Sequence, residues 1–502
     1  MKITRLLIAT LFIIGIGAWT VRAQTQPSPC PNETENIMPP DTTCTAASNG
    51  TTLTPGSFQA IPLIDGTGTS YGDPDNNIVS LYGGYGNNEN NPTYLAAQAH
   101  YQHGIALAAN IKALCHNGAV PGANGCADGT VKPAIVFLYI GMSNLTLEMG
   151  GGSKDDWPMD MKPQDLYGQP CSSECPNFNN PKTPTMSWNQ VTGDPMTQYS
   201  VLYQVYSPST YLVGPSVVVW NGAMEGETLP QWDPTSNGYY YGNTKCPTGT
   251  DDPECEYDRV EQSLKNATGN GNTGGYTEAQ VQAIFIKAAD KFPQCDLNHR
   301  YCNAPITLPD AYQMEIYLGD IVRYLKCCEV NGINQGRPRY PNLQQVFVTS
   351  RIYGGYANGQ LYEPCENPEP FAYEGGFAVQ RLIVDQINQV ALYPGPVQYD
   401  YAGEVDYSVA PWIDWGPYLW ASGGNPRNFD GLYWCGGVPQ GRCTANNFDV
   451  RQGDTTTPLL QIEYPGDYTH PNAFGIQKVG NLLVNFMNEI TGSPWVTPWI
   501  NK

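Results

Sequence analysis

Short apolar runs alternate with longer segments of helical periodicity along most of this chain, and that alternation constrains the fold more than any other feature. Four runs are rich enough in β-branched and aromatic residues to form buried strands: AIVFLYIGM, SVVVWNG, VQAIFIK and QVFVTSR. Four segments have helical spacing, and they begin at Ala96, Asp310, Gly375 and Ala473. Such alternation favours an α/β fold in which a parallel sheet carries helices on both faces.

The N-terminus predicts export. Lys2 and Arg5 precede the apolar run LLIATLFIIGIGAW, and VRA supplies small residues before Gln24, as at a signal-peptide cleavage site. We predict a signal peptide over residues 1–23, a leader rich in Pro, Thr and Asn over 24–57, and a single domain over 58–502. An uncleaved N-terminal anchor is the alternative. After cleavage we expect no membrane insertion and a secreted protein, extracellular or periplasmic.

Charge and cysteine usage narrow the partners and cofactors. The formal net charge of −21 disfavours nucleic acid and anionic membranes as partners. Many of the fifteen cysteines form close pairs in polar loops, which predicts local disulfides. The pairs are Cys30/Cys44, Cys115/Cys126, Cys171/Cys175, Cys246/Cys255, Cys295/Cys302 and Cys435/Cys443. Cysteines and histidines at metal-ligand spacing are not found, so we predict no metal.

Ser143 and the C-terminal segment DYTHPNAFG contain the residues for nucleophilic catalysis. Ser143 follows the first strong strand, and sites in open parallel sheets form beyond the carboxyl ends of the strands. A serine hydroxyl needs a base to take its proton, and His470 can serve if Asp467 orients its ring. The alternative is structural, with Asp467 or Thr469 capping the next helix and Pro471 in its first turn.

A glycine-bearing turn, NGAMEGET, follows the second strand. Its Gly226 is placed to offer a backbone N–H to an oxyanion, together with the N–H of Ser143. The serine segment, this turn and the terminal Asp-x-x-His together resemble the SGNH (GDSL-like) hydrolases, from about Val131 to Phe486. The resemblance implies a three-layer flavodoxin-like sandwich, here with long disulfide-stapled loops, that hydrolyses esters without a metal or organic cofactor.

Two blocks depart from the family pattern. The serine block usually reads Gly-Asp-Ser-Leu, whereas this chain has Gly-Met-Ser-Asn. The third block usually places an asparagine after the third strand as an oxyanion donor, whereas this chain reads IKAADKFP. Lys287 or a backbone N–H is therefore predicted to take that place.

Two further residues are predicted to bind substrate. Asn144 lies beside the nucleophile, and Arg351 follows the fourth strand, where its planar fork suits a carboxylate or sulfate. Pairing of Arg351 with an acid such as Glu369 or Glu374 is the alternative.

Aromatic segments near the predicted site have two interpretations. They comprise SNGYYYGN together with Trp412, Trp415, Tyr418 and Trp420. If exposed, they suit carbohydrate rings; if buried, they only pack the loops.

These features predict a secreted serine esterase that acts on a small-molecule or glycan ester, with O-acyl groups on carbohydrate as the first candidates. The alternative is a non-catalytic glycan-binding or surface protein that retains the fold. A glycosidase that uses two carboxylates from SKDDWPMDM is a third possibility.

Overall fold

The computed structural model of the protein describes residues 45–46, 51–52, 60, 62–63, 92–150, 200–206, 212–224, 227–234, 255–265, 275–287, 289–290, 293–297, 299, 308–326, 338–357, 366–390, 401–428, 430–445, 448–450, 469–488 and 492–502. All of them belong to one compact unit, Glu35–Lys502. The predicted signal peptide and most of the predicted leader lie outside the described residues. None of the described helices has the length and apolar character needed to cross a bilayer.

The described strands and helices alternate along the chain. The strands are β1 (Thr45–Ala46), β2 (Thr51–Thr52), β3 (Ile135–Gly141), β4 (Val217–Asn221), β5 (Val281–Lys287), β6 (Gln345–Thr349) and β7 (Trp412–Trp415). The helices are α1 (Pro92–Asn110), α2 (Ser143–Gly150), α3 (Val201–Tyr206), α4 (Leu229–Trp232), α5 (Cys255–Lys265), α6 (Asp310–Lys326), α7 (Phe371–Val390) and α8 (Ala473–Phe486).

Five of these strands form one parallel sheet in the order β4-β3-β5-β6-β7. The first strand of the sheet along the chain is β3, and the next two strands pair on opposite sides of it. The strand order therefore reverses at β3, and the loops after β3 and β5 diverge there. A crevice at the carboxyl edge is expected at such a switch point.

The predicted α/β class and parallel sheet are confirmed, and each of the four predicted strands lies in the sheet. The fifth strand, β7, was not predicted. Its sequence WIDW is only four residues long and lies in an aromatic segment without a strand's alternation. It joins the sheet by pairing with β6, a long-range contact that no local pattern records.

Burial explains why the strand sequences are almost continuously apolar. Every residue of β3, β5, β6 and β7 is buried. A parallel strand covered on both faces has no solvent-facing positions, so the period-two alternation of half-exposed strands is absent.

Two of the predicted cysteine pairs are disulfides, Cys115–Cys126 and Cys435–Cys443. Cys295 is also disulfide-bonded. The other predicted pairings involve cysteines whose side chains lie outside the described part of the chain.

Candidate active site

Ser143 lies where the chain leaves β3 and enters α2. Gly141 ends β3 and Ser143 begins α2, so the turn between them contains only Met142. Gly141 has a φ of +154°, and a Cβ there would lie 2.0 Å from the carbonyl oxygen of Lys287. Only glycine permits this approach. It allows β3 to pair with β5 up to its last residue and then turn, which puts Ser143 at the switch point.

His470 lies two residues before the residue that caps α8. The Oδ1 atom of Asn472 accepts hydrogen bonds from the backbone N–H groups of Phe474 at 2.9 Å and Gly475 at 3.2 Å. The Asn472 amide donates in turn to the carbonyl of Phe448 at 2.9 Å. These bonds fix the segment that carries His470 to both the helix and a neighbouring loop.

The capping alternative for the Asp-x-x-His pair is therefore wrong. Asn472 is the N-cap, Pro471 precedes the helix instead of lying in its first turn, and Thr469 lies further outside. Capping of α8 therefore does not account for His470.

The structure brings Ser143 and His470 together. The Oγ atom of Ser143 lies 2.6 Å from Nε2 of His470, across 327 residues of sequence. Both residues are nearly buried, with 7% and 5% of their surface exposed. When the hydroxyl donates to Nε2, the imidazole proton must be on Nδ1. Asp467, predicted to hold that nitrogen, lies outside the described residues.

The carbonyl of Thr469, immediately before His470, accepts two hydrogen bonds. The Asn144 amide donates to it at 3.3 Å, and Nη2 of Arg351 donates to it at 3.3 Å. Nη1 of Arg351 also donates to the carbonyl of Glu366 at 3.1 Å. Asn144 and Arg351 were predicted to bind substrate. Both are buried, and the bonds just described join them to the protein backbone.

Lys287, the predicted substitute for the third-block asparagine, forms an ion pair with Glu148 of α2. Both side chains have no exposed surface. Burial raises the pKa of Glu148 and lowers that of Lys287, and each partner's charge opposes the effect of burial on the other. The charge of Arg351 also favours the ionised form of Glu148, as does His470 when it is protonated. The ion pair ties α2, the helix that begins at Ser143, to the end of β5.

The turn after β4 is hydrogen-bonded to the end of β3, close to Ser143. The Gly222 N–H donates to the Tyr139 carbonyl at 2.7 Å, and the Met224 N–H donates to the Gly141 carbonyl at 3.1 Å. This places the predicted glycine-bearing turn along the serine side of the site. Gly226 itself lies outside the described residues.

A buried ion pair supports that turn from the outside. The guanidinium of Arg259, on α5, binds the Glu227 carboxylate and also donates to the Gly222 carbonyl at 2.7 Å. Burial raises the pKa of Glu227 to about 7, although Arg259 favours its ionised form. One arginine thus contacts both ends of the loop that contains Gly226.

The aromatic segment after β6 packs the interior and does not present a sugar-binding face. Trp412, Trp415, Tyr418 and Trp420 are at most 4% exposed. The indole N–H of Trp420 donates to the Glu369 carboxylate at 2.7 Å. The carbohydrate interpretation of these four residues is therefore wrong. The segment SNGYYYGN lies outside the described residues.

Sequence reasoning missed Glu148. Its signal was an acid in the middle of SNLTLEMG, an otherwise uncharged helix. A lysine at the end of the apolar strand VQAIFIK is the complementary signal. A buried charge is normally paired with a charge of opposite sign, so Glu148 and Lys287, each the single charge in an otherwise uncharged element, could have been matched.

Comparisons of this chain with protein families, with curated proteins and with solved structures each found no match.

Proposed function

We propose that this protein is a serine hydrolase that cleaves an ester. The observation that supports this most directly is the 2.6 Å separation between Ser143 Oγ and His470 Nε2 at the carboxyl edge of the parallel sheet. A nucleophile in hydrogen-bond contact with a base is the minimum arrangement for acyl transfer.

In the proposed reaction, Ser143 Oγ bonds to the acyl carbon while its proton moves to His470 Nε2. The tetrahedral intermediate collapses, and the alcohol leaves with that proton. Water then attacks the acyl-enzyme, again giving a proton to His470, and the carboxylic acid is released as Ser143 regains its proton. Asp467 is proposed to orient His470 and stabilise the imidazolium.

The oxyanion is proposed to be stabilised by backbone N–H groups. Ser143 begins α2, and the first N–H groups of a helix have no partner within it. Gly226 is proposed to contribute a second N–H from the turn after β4. Lys287 is the weaker candidate donor, because its ammonium is bonded to Glu148.

The strand order supports a three-layer flavodoxin-like sandwich as the complete architecture. Counted along the sheet's own strands it is 2-1-3-4-5, the order of flavodoxin-like sheets. Helices α2, α3 and α8 contact one another. In a second group, α6 contacts α7 and α4, and α7 also contacts α1. Two such groups fit helices on the two faces of the sheet. The Cys115–Cys126 and Cys435–Cys443 disulfides support stapled loops and an oxidising, extracellular or periplasmic compartment.

We propose a simple ester as the first substrate to assay. Carbohydrate O-acyl groups remain the first natural class to test, because a predicted secreted protein meets such groups outside the cell. Burial of the aromatic segment removes one of the reasons for that choice.

The test is labelling with a fluorophosphonate and hydrolysis of p-nitrophenyl acetate by the wild type and by Ser143→Ala. We expect the substitution to abolish both reactions, because the nucleophile is lost. Ser263→Ala is the matched control: this serine is also buried but belongs to α5, where it bonds the Val260 carbonyl. Labelling that persists in Ser143→Ala would contradict the assignment. A wild type that is never labelled but is retained on a glycan matrix would support the non-catalytic alternative.

A further inference from the structure

Two adjacent hydrogen bonds join the start of α2 to the C-terminal segment that contains His470. Ser143 contacts His470 through its hydroxyl, and the next residue, Asn144, contacts Thr469, the residue before His470. Two consecutive residues of the nucleophile's helix therefore hold two consecutive residues of the segment that supplies the base. Such a paired contact restrains the rotation of His470 about its backbone as well as its distance from Ser143.

Arg351 gives this contact a third support. Its guanidinium joins the carbonyl of Thr469 to the carbonyl of Glu366, which lies just before α7. Arg351 is only 3% exposed. Its charge lies near buried Glu148 and Glu369 and favours the ionised form of both carboxyls, which lowers their pKa values against the effect of burial.

We infer that Asn144 and Arg351 are positioning residues that fix His470 through the carbonyl of Thr469, in place of the substrate contacts their sequence positions predict. This inference rests on the proposed function of Ser143 and His470. A planar guanidinium can bridge two carbonyls, whereas a lysine ammonium on a flexible stem cannot reproduce that geometry. A displacement of about 1 Å in a reacting group costs on the order of 100-fold in rate.

The test compares Asn144→Leu and Arg351→Lys with the wild type. Leucine has nearly the shape of asparagine but donates no hydrogen bond, and lysine keeps the charge of Arg351. Each variant is assayed on p-nitrophenyl acetate and on a p-nitrophenyl monoester of succinic acid, which carries a free carboxylate. We expect kcat to fall about 10- to 100-fold on both esters, with KM nearly unchanged.

Arg323→Lys is the matched control. Arg323 is another buried arginine that donates to two backbone carbonyls, those of Ala402 and Glu404, but it lies on α6 away from the site. We expect this variant to lose stability and to keep the wild-type kcat. A similar loss of kcat in Arg323→Lys would show that any buried arginine has this effect, and would overturn the inference.

The opposite role gives a different pattern. If Arg351 binds a substrate carboxylate, Arg351→Lys raises KM for the succinate ester alone and leaves p-nitrophenyl acetate hydrolysis unchanged. That result, or wild-type kcat in both variants on both esters, would overturn the inference.

A second measurement does not depend on activity. NMR relaxation of histidines labelled at Cε1 reports the motion of the His470 ring, assigned by the loss of its signal in His470→Asn. We expect the order parameter of this ring to fall in Asn144→Leu and Arg351→Lys, with the other four histidine signals unchanged. An unaltered His470 ring would overturn the inference. A wild type without esterase activity, but with this ring response, would instead contradict only the proposed function.

Discussion

At the scale of single residues, the Lys287–Glu148 pair is the contact in this site that sequence patterns describe least well. Two charges without exposed surface are costly to bury, and their attraction offsets that cost only while both are present. The pair also occupies the ammonium of Lys287, which was predicted to replace the missing third-block asparagine as an oxyanion donor. Its variants can therefore separate a structural role from a catalytic one.

We predict that Lys287→Met and Glu148→Leu each lower the free energy of unfolding by about 3–5 kcal/mol, because each leaves one buried charge uncompensated. The double variant Lys287→Met/Glu148→Leu should recover most of that loss, since it removes both charges. Urea unfolding of the four proteins measures the three differences.

Turnover of the double variant tests the oxyanion role. If the N–H groups of Ser143 and Gly226 suffice, kcat on p-nitrophenyl acetate should stay within about 10-fold of wild type. Loss of a true oxyanion donor costs on the order of 100- to 1,000-fold. A decrease of that size in a stably folded double variant would show that Lys287 does act as an oxyanion donor in the wild type.

At the scale of secondary-structure elements, a histidine couples α1 to β7. Nε2 of His100 donates to the Ile413 carbonyl at 2.9 Å, and Nδ1 accepts from the Tyr407 hydroxyl at 2.8 Å. The ring stacks on Trp412 with centroids 5.1 Å apart. With this set of bonds the ring is neutral, and burial, which disfavours the charged form, lowers the pKa of His100 to about 3.

This contact predicts a pH dependence of stability. In the unfolded chain His100 binds a proton below its ordinary pKa of 6.5, whereas in the folded protein it stays neutral down to about 3. Its stabilising effect is therefore present above pH 6.5 and is lost as the pH falls. Relative to His100→Gln, the wild type should lose about 2 kcal/mol of unfolding free energy between pH 7 and pH 5.

Taking the difference from His100→Gln cancels the contributions of other titrating groups. The buried carboxyls of Glu227, Glu369 and Asp414, whose pKa values are raised to about 7, change stability in the opposite direction, since they favour the fold at low pH. His103→Gln on the same helix is the control, because His103 is less buried and should show a smaller effect. Parallel stability curves for the wild type and His100→Gln would contradict the prediction.

At the scale of the whole molecule, residues 500–502 bond to the segment just before β4, at the end of that strand opposite the candidate site. The carbonyls of Ile500 and Lys502 accept hydrogen bonds from the N–H groups of Gly214 and Ser216, just before β4. The indole of Trp499 packs edge-on against Phe137 with centroids 5.2 Å apart. The polypeptide that supplies His470 thus continues through α8 to a second anchor.

We predict that Trp499→Ala lowers the free energy of unfolding by about 3–5 kcal/mol, because it leaves a cavity in the core and removes the bond from Nε1 to Gln345. Urea unfolding gives the value. Trp495→Ala, in the same segment but only partly buried, is the control and should cost less. Equal losses in the two variants would show that the segment, and not the buried indole, determines the effect.

Much of the architecture was readable from sequence because it depends on local patterns. The helices predicted to begin at Asp310 and Ala473 begin at those residues, and four apolar runs formed four parallel strands. The strand β7 was missed because four aromatic-rich residues become a strand only by pairing with β6. The burial of Trp420 was undecided for the same reason: loop aromatics have no period that distinguishes interior from surface.

The sequence by itself determined the residue types available for chemistry: a serine after the first strand of the sheet, a histidine near the terminus and glycines at the turns. The tertiary structure alone decided that Ser143 and His470 meet at 2.6 Å, and that Asn144 and Arg351 bond to backbone. The physical reason is that local preferences act over a few residues, whereas these contacts join positions more than a hundred residues apart. Only the order of strands in the sheet brings them to one edge.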